Sequence, residues 1–486
     1  MASEQTPEQS PAQEPVRESA PEPVRESGRS GRLGRRLFLG GSLAAAAATA
    51  AAVTGAPEAQ AATTADGATT ADSATLKVGA GRAAIAIPAS LLPLDGFTTV
   101  HDDLYVRILL LESGSTRIAL VVLDLTSISA EAIADIRTAV TEAAGVSAAN
   151  TVVTCTHTFS APHVMATTGS TQETAWVAQI VAAATTAVTA AVKNLQAARV
   201  GYGTGKSDVN VNRNVRTADG WWLGTGESLP SDKSVGITRF DDLSGNPIAV
   251  LVNYNVQSSV MMESVMASGD LPITADLAGA TIQHLEKQYD GDVVGFWLVG
   301  TCGDQSPAFR SLRTTIDKDK KYATVDAQDA GWLLLTVQGE RLGTEAVRVV
   351  ETIKTSGNGE GTALKLVTDS VTADAVAQGD TSAPTTSHTF TPDGTATVPI
   401  WILQVGEGVF VGVEPELSTD TGLAIKRHSP FKHTAVLSMI EGGSKNMSDS
   451  WNYAHLTYEA LDSSYAQGSA EKTAAKIGQL LDAITK

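Results

Sequence analysis

Residues 104–157 constrain the fold of this chain more than any other stretch. Two apolar runs, 104–112 and 117–124, flank Ser113-Gly114-Ser115-Thr116, the composition of a hairpin turn. Apolar residues then recur at helical spacing over 129–144 and stop at Gly145. A β-branched run, Val152-Val153, follows and ends in Thr156-His157-Thr158-Phe159-Ser160-Ala161-Pro162-His163. A strand–strand–helix–strand order buries its apolar faces as a sheet with a helix laid on it. The alternation continues to the end of the chain. Helices are expected over 172–198, 275–289, 327–353, 419–427 and 469–484. Strands are expected over 76–87, 200–205, 235–240, 247–254, 293–299 and 434–439, with β structure over 364–414. These segments predict an α/β (α+β) fold, a single large domain over 76–486 with a mixed sheet flanked by helices. No internal repeat is legible in it, and no linker rich in Pro or Gly divides it.

The first 75 residues read differently. Residues 1–34 are rich in Pro, Glu, Arg and Ser and repeat Pro-Val-Arg-Glu-Ser at 15–19 and 23–27, a composition that cannot build a core. Arg35-Arg36-Leu37-Phe38-Leu39-Gly40-Gly41, an Ala-rich run to Val53 and a small-x-small site at Ala59-Gln60-Ala61 follow in order. These are the basic, apolar and cleavage parts of a twin-arginine signal peptide over 1–61, with a flexible linker over 62–75. The mature chain is therefore expected to be secreted. No later apolar run is read as approaching the roughly 20 residues of a transmembrane segment. A formal charge of −18 with no basic stripe argues against nucleic acid and anionic membrane as partners. Two cysteines, Cys155 and Cys302, are too few for a disulfide scaffold.

Chemistry-bearing side chains gather at strand ends, where sites of open α/β sheets form. His157 and His163, two of the chain's eight histidines, leave one strand six positions apart. That pattern suits metal ligation or acid–base work, and equally a strand end capped by hydroxyls. The strand 293–299 runs into Gly300-Thr301-Cys302-Gly303-Asp304-Gln305-Ser306-Pro307, which by itself is a turn whose Asp and Ser bond their own backbone. Asn212-Arg213, Gln257, Asp276 and Glu416 stand at comparable places. A Glu after a buried strand is also a common helix N-terminal charge.

The order and spacing of these segments resemble the catalytic domain of the neutral ceramidases, zinc-dependent amidohydrolases that cleave the N-acyl bond of ceramide. The resemblance runs from Val78-Gly79-Ala80-Gly81-Arg82 through His101-Asp102-Asp103-Leu104-Tyr105, Leu123-Asp124 and Thr156-His157-Thr158. It continues through Asn212-Arg213, Ala275-Asp276-Leu277-Ala278-Gly279, Gly303-Asp304-Gln305-Ser306-Pro307 and Glu416-Leu417 to Tyr453, Tyr458-Glu459 and Gly468. The resemblance implies one zinc held by two His, one Glu and one Tyr. His157 and Glu416 match the first His and the Glu. Gln257 stands where the second His is expected, and the tyrosine segment falls at Glu441-Gly442-Gly443-Ser444-Lys445-Asn446. Phe159 replaces a further His that lies beside the metal.

Replacement ligands from His163 or Gln257, and a carboxylate from Glu441, are the alternatives this leaves open. The resemblance further implies catalytic places for Arg213, which steadies charge on a carbonyl oxygen, and for Ser306, as a nucleophile or, the better reading, a hydroxyl that lines the site. It also implies supporting roles for Asp124 and Asp276, and strand ends that bring Cys155 and Cys302 close enough to pair. Two functions compete. One is a secreted, ceramidase-like hydrolase of sphingolipid metabolism that uses zinc to cleave an N-acyl bond of a lipid or small amide substrate. The other is a metal-free exported domain that binds a lipid or glycan.

Overall fold

The structure, a computed structural model, describes residues 74–164, 170–355 and 359–485. The expected signal peptide and nearly all of the linker lie outside the described residues. The main sheet has eight strands: β1 Lys77–Ala84, β2 Tyr105–Ser113, β3 Thr116–Leu123, β4 Thr151–Cys155, β5 Gln196–Lys206, β6 Ser234–Asp242, β7 Pro247–Tyr254 and β8 Val294–Val299. Their spatial order is β8-β7-β6-β5-β1-β2-β3-β4. All neighbours are antiparallel except β3 with β4 and β7 with β8, which are parallel. The sheet is therefore mixed, as expected.

Helices α1 Ala130–Ala144, α2 Thr171–Lys193, α3 Asp276–Lys287 and α4 Gly331–Thr352 alternate with these strands. The order three strands, helix, strand, helix occurs twice: β1-β2-β3-α1-β4-α2, then β5-β6-β7-α3-β8-α4. The repetition is one of topology and not of sequence. Burial selects apolar positions rather than particular residues, so a duplicated topology leaves no readable duplication in sequence. The halves meet where Lys77 and Val78 of β1 pair with Ala197 and Gln196 of β5. Each half packs its own helix pair. Ile108, Leu110, Val121 and Val153 face α1 and α2, whereas Val250, Val252 and Val299 face α3 and α4. The opposite face of both halves, with Leu109, Leu120, Leu251 and Leu298, shares one core. Strands covered on both faces read as nearly continuous apolar runs, which is why β2, β3 and β7 stood out in sequence.

A second sheet closes the shared core. It runs β9 Leu364–Val376, β10 Pro392–Val405, β11 Gly408–Val413 and β12 His433–Leu437 in that order. Trp401, Leu403 and Phe410 enter the shared core, while Ile402, Val411 and Val436 pack beneath α5 Thr419–His428 and α6 Ser469–Ile484. The segment after β12 joins the two outer strands of the main sheet. The Ser438 N–H donates to Val299 O, Cys155 N–H to Met439 O, and Glu441 N–H to Val153 O. The carboxyl ends of β4 and β8 are thereby drawn to one place.

Two local features follow from sequence. A Cβ on Gly79 or Gly81 would lie 2.2 Å from a carbonyl oxygen of α2, so these glycines let the helix rest directly on β1. Helix α2 itself is long and apolar enough to cross a membrane by length and composition, contrary to the expectation that no such run exists. Its Trp176, Ile180, Ala184, Ala187 and Val188 are nevertheless core residues.

Candidate functional site

His157 lies two residues beyond β4, in the left-handed region at φ +59°. A buried histidine held there stores strain of about 1–3 kcal/mol, which the surrounding bonds must overcome. Its Nδ1 lies 2.9 Å from the carbonyl of Thr126. A carbonyl only accepts, so Nδ1 carries the proton and Nε2 turns inward. This second nitrogen stands 3.1 Å from Glu416 Oε1, yet has no hydrogen-bond partner. Phe159 meets the ring edge-on at 4.5 Å.

Glu416 sits on the short strand Pro415–Leu417, which pairs in parallel with Ser444–Met447. The Gln257 amide donates to Glu416 Oε2 at 2.7 Å, and its own oxygen accepts from Arg213 Nη1 at 3.0 Å. Arg213 Nε donates to the fully buried Glu459 at 2.5 Å, and the guanidinium lies 5.3 Å from the Tyr458 ring centre. Cys302, three residues beyond β8, points its Sγ at Glu416 Oε2 from 3.8 Å. Burial pushes the Glu416 carboxyl up. The neighbouring His157, the Arg213 charge and the Gln257 amide outweigh it and hold the group at about 2. Burial, then Glu416, push the Cys302 thiol well up.

His157, Cys302 and Glu416 each offer a ligand atom, and these atoms all lie within 4.8 Å of one another. A buried imidazole nitrogen without a partner, facing a carboxylate and a thiol, is a donor set that fits a divalent cation. A ligand histidine bonded through its other nitrogen to a backbone carbonyl has the usual supporting arrangement.

The remaining expected residues fall into place around this group. Gln257 adjoins it, with both ends of its amide committed. His163 is held away by Asp95, whose carboxylate takes both its ring nitrogen at 2.5 Å and its backbone N–H at 3.0 Å. Glu441 is bound by Arg137, with both oxygens at 2.8 Å. Asp124 accepts from Arg107 and from the Tyr105 N–H, which ties the ends of β2 and β3 together. Asp276, also at positive φ, accepts from the N–H groups of Val260, Met261 and Leu277, and so fixes the loop that follows Gln257. Cys155 and Cys302 are both free thiols, which corrects the expected bridge. They pack in the cores of different halves, Cys155 against α1 and α2, Cys302 against α3 and α4. Sequence reasoning missed Cys302 as a possible donor. Its place after an apolar strand, like that of His157, was the available signal.

A cavity of about 830 Å³ reaches this region from outside. Arg213 and Ser306 line it together with apolar residues such as Leu223, Leu229, Pro307 and Leu334. Ser306 lies on Gln305–Pro307, which pairs with Asn210–Asn212. His157, Cys302 and Glu416 are not on the cavity wall; Gln257 links Glu416 to Arg213, which is. Nearby, burial raises the Asp304 carboxyl to about 7 despite hydrogen bonds from Gln305 and Thr419. Among the cavity-lining residues Phe309 and Leu333 are 62% and 66% exposed, the largest exposures of large apolar side chains in the described chain.

No family model matches the sequence, and no curated protein matches it. Solved structures do. The neutral ceramidase from Pseudomonas aeruginosa matches with a TM-score of 0.62 at 17% identity, covering 84% of this chain and 74% of that one. A structure described as ceramidase complexed with C2 matches with a TM-score of 0.61 at 16% identity and the same coverage. The fold of this chain is therefore similar to that of the neutral ceramidases.

Proposed function

We propose that this chain is a secreted, metal-assisted amidohydrolase that cleaves the N-acyl bond of a ceramide-like lipid. The observation that carries the reading is the buried, partnerless Nε2 of His157 facing the Glu416 carboxylate, which Gln257 and Arg213 link to the wall of an apolar cavity. The similarity of fold to ceramidases supports it. In this reading His157 and Glu416 hold a zinc ion, which when bound lowers the pKa of water and polarises a carbonyl. Arg213, on the cavity wall, offers guanidinium hydrogens to a carbonyl oxygen that gains charge. Gln257 keeps Arg213 and Glu416 in fixed relation. Ser306 lines the wall beside them. The apolar walls and the exposed Phe309 and Leu333 suit an acyl chain drawn from a lipid aggregate. Export through the twin-arginine route belongs to the same proposal.

One observation favours a second reading. Arg213 lines the cavity and the metal-ligating group does not, as in a pocket that binds a lipid without cleaving it. Fatty-acid release separates the two. The full chain incubated with a short-chain ceramide should release fatty acid, and a strong chelator should stop it. Stoichiometric lipid binding without release would support the binding domain instead.

A further inference from the structure

We propose that Cys302 is the third protein ligand of the metal, taking the place of the histidine expected at Gln257. The inference rests on the reading of His157 and Glu416 as ligands and specifies what completes their set.

Four observations lead to it. First, the geometry is already converged, with a sulfur, an imidazole nitrogen and a carboxylate oxygen within 4.8 Å of one another and all three residues buried. Second, His157 is only 2% exposed and its Nε2 lacks any hydrogen-bond partner. With Nδ1 turned to the Thr126 carbonyl, that nitrogen faces a carboxylate 3.1 Å away. An imidazole nitrogen and a carboxylate oxygen buried at that distance are spaced to share one cation. Third, the other donors are committed. Gln257 gives its N–H to Glu416 and its oxygen to Arg213, so it spaces the site, and a neutral amide is in any case a weak zinc donor. His163 is held by Asp95 and Glu441 by Arg137. Fourth, Cys302 follows β8 as His157 follows β4, and β4 and β8 are equivalent strands of the two halves. The stitching by Ser438–Glu441 brings those two strand ends together, so the site takes one donor from the matching corner of each half.

The consequence is a softer donor set. One thiolate, one imidazole and one carboxylate favour a borderline-soft divalent cation such as zinc over magnesium or calcium. Binding forms the metal–sulfur bond and releases the thiol proton to solvent.

Cobalt(II) reads this directly, because a thiolate ligand gives a sulfur-to-cobalt charge-transfer absorption in the near ultraviolet. The full chain is stripped with a chelator and titrated with cobalt alone. One cobalt per chain with that band is expected. The band should persist in Cys155→Ser and vanish in Cys302→Ser. Cobalt affinity in Cys302→Ser should fall at least about tenfold, since even residues behind the ligands typically cost that much. Because the chain has two cysteines, retention of the band in Cys155→Ser identifies Cys302 even where Cys302→Ser fails to fold. Stoichiometric cobalt binding without the band would overturn the role of Cys302 and leave the His157–Glu416 reading standing. Failure of the wild-type chain to bind one cobalt would overturn both.

Discussion

Arg213 should be as important to stability as to chemistry, and the structure allows the size of the effect to be worked out. Its guanidinium is buried and donates through Nε to Glu459, a carboxylate that is 0% exposed and whose other oxygen has no hydrogen-bond partner. Arg213→Met keeps most of the aliphatic stem and removes the charge. Glu459 is then left buried without its counterion, a loss of about 3–5 kcal/mol in comparable buried pairs. Loss of the guanidinium over Tyr458 adds about 0.5–1 kcal/mol. The sum is a large share of the roughly 5–15 kcal/mol by which folded chains are stable. Most of it belongs to the stranded carboxylate rather than to a lost attraction. The double variant Arg213→Met/Glu459→Gln should therefore recover at least about 2 kcal/mol relative to the single one. Urea unfolding followed by circular dichroism and tryptophan fluorescence measures both. A single variant that costs less than about 1 kcal/mol, or a double variant no more stable than the single, would refute the reasoning.

Two further predictions concern pH and substrate presentation. Burial, then Glu441, push the Glu414 carboxyl from its ordinary 4.5 up to about 7. A group raised in this way stabilises the fold fully below the unfolded value near 4.5 and loses that stabilisation as pH rises through about 7. Allowing for its partial exposure, Glu414→Gln should be more stable than wild type by about 1–3 kcal/mol at pH 8 and equal to it at pH 4, read from thermal melts at the two pH values. Phe309→Ser combined with Leu333→Ser should leave stability within about 0.5 kcal/mol, because both side chains are exposed. The pair should raise the KM for ceramide in mixed micelles roughly tenfold, in line with losing one to two kcal/mol of apolar contact, and leave a monomeric short-chain substrate unchanged. Equal losses on both substrates would show that the two side chains act on folding instead.

Much of the fold was legible because its central strands are covered on both faces. The hairpin of β2 and β3 follows from two apolar runs around Ser113–Thr116, and its observed bounds differ from the expected ones by a residue. Helix α1 is marked at both ends, by Ser129, whose side chain accepts from Ala132 N–H, and by Gly145 at φ +64°. Where the composition is uniform the boundary was lost. The expected helix 172–198 ends at Lys193, and Gln196–Lys206 is strand, because an Ala-rich run has no apolar period to change. The polar segment 209–214 contributes to the short strands Asn210–Asn212, whose partner Gln305–Pro307 is distant in the chain, and Asn214–Arg216, which makes a local hairpin with Trp221–Leu223. The hairpin Leu312–Ile316 with Tyr322–Asp326 was missed because both strands are largely exposed and lack alternation.

The site divides in the same way. His157 and Glu416 were found through matching short segments, and the structure brings their side chains to 3.1 Å. Cys302 was read as half of a disulfide because position along a strand does not reveal which core the next turn enters. The structure turns it towards Glu416, with Cys155 packed in the core of the other half. Glu459 lay inside a quoted segment, but nothing in sequence showed that it would meet Arg213 from the far end of the chain.

The central claim is that the group at His157 and Glu416 hydrolyses an N-acyl bond. Its most direct test compares fatty-acid release from a short-chain ceramide by the zinc-supplemented full chain and by Glu416→Gln. Gln keeps the shape of the side chain and removes the carboxylate. The account predicts release by wild type and a loss of at least about a hundredfold in the variant, with circular dichroism unchanged. No release by wild type, or equal release by the two, would contradict it.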